Sequence, residues 1–126
     1  MTDTYAYLIR EKDWDSDAYL PGADPAGQDD TFAEHGAFQE AVVRLGARIV
    51  GGEALQSARH GGVVTPGAGE RRVEDAVHTD SPYADSSELI TGFYLVEVDD
   101  EAMARHVAAL VPTGATVEWR KVFPTG

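Results

Sequence analysis

Two apolar stripes at helical spacing, Phe38-Ala41-Val42-Leu45 and Met103-Val107-Leu110-Val111, each stand between segments of strand character. That interleaving limits the folds open to the chain, because each stripe must be buried against another element. Thr4 to Arg10 reads as a strand, with Tyr5, Tyr7 and Ile9 alternating against Ala6 and Leu8. Glu11 to Asp30 loses the periodicity and is rich in Asp, Gly and Pro, as a long surface loop would be. The first helix is expected to begin at a capping box, Thr31 with Glu34, and to stop at Gly46. Arg48 to Leu55 follows as a strand containing Gly51-Gly52, where another backbone or a ligand can come close. Val63 to Thr65 and Arg72 to His78 are expected to form a hairpin across Pro66-Gly-Ala-Gly. Gly92 to Val98 is then a central strand, Asp99 caps the second helix, Pro112 stops it, and Val117 to Phe123 closes the chain.

The expected order is strand, helix, strand, hairpin, strand, helix, strand. Two helices on one face of an antiparallel sheet make an α+β fold of the ferredoxin-like, split βαβ type. With 126 residues and 43% hydrophobic content, residues 1–126 are expected to form one domain around a single core. The helices cover one face only. Tyr5, Tyr7, Phe93, Tyr94 and Trp119 are candidates for the other face and are too apolar as a set for water, so a homodimer is expected.

Charge and composition exclude several functions. A formal net charge of -12, with only 10 Lys and Arg, argues against nucleic acid as a partner. The absence of cysteine rules out disulfides, thiol nucleophiles and cysteine metal sites. No apolar run approaches the roughly eighteen residues that cross a bilayer, and Met-Thr-Asp-Thr has neither part of a signal peptide, so no membrane partner and a cytoplasmic location are expected.

Chemistry concentrates in two places. His35 sits on the first apolar stripe, and Asp80 lies in the Pro-containing turn His78-Thr-Asp-Ser-Pro-Tyr before the central strand. A histidine and an aspartate that meet in a fold form an acid/base pair. Both have structural readings too: His35 bonding a carbonyl beside the core, Asp80 closing its own turn. His106 reads as a helix-surface residue, and His60 and His78 lack the short spacing of a zinc site. Asp13-Trp-Asp-Ser-Asp with Asp24 imitates a calcium loop incompletely, since Ala18 stands where glycine is needed. No metal is expected. Gly51-Gly52 precedes no helix and is not a phosphate loop, and Ser81, Ser86 and Ser87 lack a nucleophile elbow.

The stretch from His35 through Gly46 to Gln56, then Asp80-Ser-Pro-Tyr-Ala-Asp, then Gly92-Phe-Tyr-Leu-Val-Glu-Val-Asp-Asp, resembles the YCII-related proteins, in particular their DGPF-domain branch. The resemblance runs from Tyr5 to Val122 and implies a ferredoxin-like fold that pairs into a dimeric α/β barrel, with a histidine and an aspartate as the active-site pair. His35 matches the helical position and Asp80 opens the segment that names the branch. Ser81 replaces the branch's glycine, which reaches φ > 0 freely as serine does not, and Tyr83 replaces its phenylalanine. Tyr7, Gly52, Ser81 and Tyr83 are the expected substrate-binding residues. Two functions remain open: a small-molecule enzyme without a cofactor, moving protons through His35 and Asp80 in isomerisation or elimination, and a non-catalytic ligand-binding or regulatory module.

Overall fold

The computed structural model describes residues 2–11, 26–56, 60–79 and 89–124. Along the chain run β1 (Asp3–Glu11), α1 (Ala26–Arg44), β2 (Arg48–Ala54), β3 (Val63–Thr65), β4 (Val77–Thr79), β5 (Leu89–Val98), α2 (Glu101–Leu110) and β6 (Thr116–Lys121). β2, β5, β1 and β6 form one four-stranded sheet in that spatial order, antiparallel at each step. β1 and β2 are therefore parallel with β5 between them, and α1 links them; β5 and β6 are parallel with β1 between them, and α2 links them. The sheet is open, not a closed barrel.

Period-two alternation decides which side chains meet the helices. Tyr5, Tyr7 and Ile9 of β1 are buried, and across the ladder they stand opposite Val96, Tyr94 and Gly92. Phe38 and Val42 from α1 and Ala104 and Val107 from α2 close over them in one cluster, so both helices lie on the same face. Trp119 packs against the same cluster, with its ring 5.7 Å from that of Tyr5. The expectation that Tyr5, Tyr7, Phe93, Tyr94 and Trp119 form the uncovered face is thus corrected. Only Phe93 belongs there, beside Ala6, Leu8 and Leu95, because the other four share the parity of the core residues.

α1 ends in a Schellman motif. Gly46, at φ 83°, donates to the Val43 carbonyl and Ala47 donates to that of Val42, which satisfies two of the last free carbonyls. Its start differs from expectation: the helix already runs at Ala26, so Thr31 and Glu34 lie inside it, and residues 26–30 are not loop. The second cap falls one residue later than expected, on Asp100, whose Oδ1 accepts from the Met103 amide at 2.8 Å. The hairpin is also shorter. β3 pairs with β4 from Val63↔Thr79 to Thr65↔Val77, and Val73–Asp75 of the expected second arm forms a 3-10 turn. The turn carries acidic Glu74 and Asp75, poor strand formers that suit tight local hydrogen bonding.

Candidate functional site

Three of the sequence-predicted residues, His35, Tyr7 and Gly52, meet at Tyr94 of β5. Its register partners are Tyr7 on β1 and Gly52 on β2. From above, α1 lays Phe38 and His35, one helical turn apart, against the same phenol; the ring centroids are 4.9 Å and 5.8 Å from that of Tyr94. Nδ1 of His35 lies 2.6 Å from the Tyr94 hydroxyl, a hydrogen bond between residues 59 apart in sequence. The half-buried imidazole thus has a defined partner on the sheet.

Electrostatics keep this imidazole neutral. Burial pulls the His35 pKa below its ordinary value near 6.5, and the carboxylates of Glu11 and Glu34 offset only part of that pull. Tyr94 also keeps its proton: burial raises its pKa, opposed in part by the Gln39 side chain one turn beyond His35 on the same helix face. Glu11 is fixed at the end of β1, where its Oε1 accepts from the Gly114 amide at 3.2 Å.

Gly52 is built into this contact. At φ 153° it occupies backbone space that L side chains rarely adopt, and a Cβ would stand 2.7 Å from the Phe93 carbonyl oxygen and 3.0 Å from Cδ1 of Tyr94. The chain that comes close to Gly51-Gly52 is β5 of the same sheet. Tyr7 is fully buried, and its hydroxyl donates to the Ala104 carbonyl at 2.8 Å, tying α2 to the sheet. Burial, aided by Tyr5, pushes the Tyr7 phenol up to about 12. In the described structure Tyr7 anchors the core and Gly52 admits the Tyr94 ring.

Asp80, Ser81 and Tyr83 lie outside the described residues, as do the Asp13–Asp24 run, Ser86 and Ser87. His60, His78 and His106 are exposed, and among the described residues no three His, Asp or Glu side chains cluster in a way that could hold a metal ion. No described helix is long and apolar enough to cross a membrane. Tyr94 itself was legible only as a strand residue. The signal that marks it is parity: Gly92, Tyr94, Val96 and Val98 share one face, and Tyr94 alone carries a polar tip into it.

Curated proteins offer no match to this chain. The model of the YCII-related domain matches residues 5–125, spanning both helices and the four-stranded sheet around Tyr94 apart from the first two residues of β1. The chain belongs to the YCII-related domain family.

Proposed function

We propose that the protein is a cofactor-independent enzyme acting on a small molecule, in which His35 moves a proton during an isomerisation or elimination and the Asp80 carboxylate orients the ring. One observation carries this reading: an imidazole that is half-buried, neutral by desolvation and held at 2.6 Å by a phenol. A ring that is oriented by a fixed partner and still half-exposed can exchange a proton with a substrate held within hydrogen-bond reach. The test is exposure of a metabolite extract to the protein, read by mass spectrometry. A change made by wild type and lost in His35→Ala is expected. A change that persists in His35→Ala overturns the role of His35, and a ligand retained but never altered favours a binding module.

The fold reading goes with it. The strand order and the two crossovers support a ferredoxin-like topology, and the uncovered face supports pairing of two sheets into a dimeric α/β barrel, as in the DGPF-domain branch. Ala6, Leu8, Phe93 and Leu95 form the middle of that face. Ion pairs flank it: Arg10–Glu118–Arg120 on the β6 side and Arg48–Glu97 on the β2 side. An apolar centre with a charged rim is the pattern of an interface, and a lasting homodimer buries on the order of 2,000 Å² or more. Light scattering is expected to give the dimer mass at micromolar concentration; a monomer mass would refute the pairing.

A further inference from the structure

The His35–Tyr94 bond has a direction, and the direction decides what His35 offers a substrate. At 2.6 Å the Nδ1···Oη separation is shorter than the usual range for an N–H···O bond, about 2.7–3.2 Å, as bonds with a hydroxyl donor tend to be. Gln39 acts on the same oxygen in the sense that favours the phenolate, as an amide N–H donated to Oη does. With Oη accepting from Gln39, the phenolic hydrogen points to Nδ1. A neutral imidazole that accepts at Nδ1 carries its proton on Nε2.

We infer that Tyr94 is a positioning residue whose phenol donates to Nδ1 of His35 and so fixes the ring as its Nε2–H tautomer, presenting a neutral N–H to an acceptor oxygen of the substrate. This rests on His35 being the functional group of the proposed reaction, and it narrows that reaction. His35 gives a hydrogen bond or a proton; it does not take one at Nε2. The acceptor that suits it is a carbonyl oxygen gathering negative charge as a neighbouring C–H bond loses its proton to another base. When the transfer goes to completion, Nε2–H passes to the substrate oxygen while Nδ1 takes the phenolic proton, and the base that took the C–H proton returns it through solvent to the Tyr94 phenolate. The net change is movement of one substrate proton from carbon to oxygen, with the imidazole, the phenol and the base each restored. Gln39 and Tyr94 are the working partners of the ring, whereas Glu11 and Glu34 act on it as background charges.

Nitrogen-15 NMR of the histidine rings tests this on the intact protein, without a substrate. In wild type above the histidine titration, His35 is expected to be protonated at Nε2 with Nδ1 as the acceptor. A phenol donating to the neutral ring stabilises the neutral form, so Tyr94→Phe is expected to raise the His35 pKa and Gln39→Ala to raise it less. A proton found on Nδ1 overturns the inference, and so does a pKa that falls or stays unchanged in Tyr94→Phe. Gln39 is exposed, so its variant and the wild-type tautomer still decide the matter if Tyr94→Phe does not fold. The two readings fail separately. A correct tautomer with turnover surviving in His35→Ala sinks the proton-transfer role of His35, whereas turnover lost in His35→Ala with Nδ1 protonated sinks only the direction assigned here.

Discussion

The two faces of the sheet use the same strands to opposite ends. On the covered face, Tyr5, Tyr7, Ile9, Val96 and Val98 are sealed under two helices, and His35 meets Tyr94 in a polar contact at the margin. On the open face, one residue out of step, Ala6, Leu8, Phe93 and Leu95 are only partly buried and are framed by ion pairs. The difference teaches that the covered face fixes the fold of one chain and holds the His35–Tyr94 contact, while the apolar middle of the open face stays only partly buried by the described residues. Register is what separates the roles, because a slip of one residue would exchange them.

The sharpest way to break the comparison is to make the same kind of cut on each face. Phe38→Ala removes a ring packed on Tyr94 within the core and is expected to cost about 3 kcal/mol in urea unfolding. Phe93→Glu, on the other face, is expected to leave the fold intact and weaken association at least about tenfold, as loss of a central interface residue does. Light scattering alongside circular dichroism checks it. If Phe93→Glu unfolds the chain instead, the open face is structural and the division of roles is wrong.

A finer cut is Gly52→Ala, which sets a methyl group against the Phe93 carbonyl at an unfavourable φ. The expected loss is about 2 kcal/mol, with a displaced Tyr94 ring visible in the aromatic NMR spectrum. An unchanged stability and spectrum would mean that Gly52 does not admit the ring.

The smallest expected effect is on pH dependence. The folded-state pKa of His35 lies below the unfolded value near 6.5, so the unfolded chain binds the extra proton first. Its contribution to stability is present above pH 6.5 and is lost as pH falls from there through the folded pKa. Between about pH 8 and about pH 5, wild type should lose more stability than His35→Gln, which has no ring to protonate. Equal losses would show that the ring is not desolvated.

Much of the fold could be read from the residues. The stripes of both helices, the Gly46 stop and the strand alternation rest on local periodicity, which packing reinforces. The start of α1 could not, since Ala26-Gly-Gln-Asp-Asp has no large apolar residue to continue the stripe and looks like loop. The parity of Tyr5 and Tyr7 was plain, but which parity meets the helices depends on how the helices dock. His35 stood out as a polar residue on an apolar stripe. Its partner did not, because a strand residue 59 positions away becomes a neighbour only through the β1–α1–β2 crossover that brings α1 over β5.

The outer strands of the sheet carry a further consequence. β6 presents Glu118, Arg120 and Lys121 in six residues, and β2 is interrupted by a bulge between Ile49 and Gly51. Charges and a kink at the two borders, which no described strand pairs, discourage the backbone-to-backbone stacking through which exposed strands polymerise. The proposed pairing through the sheet surface would then stop at two copies instead of growing, strand upon strand, into fibres.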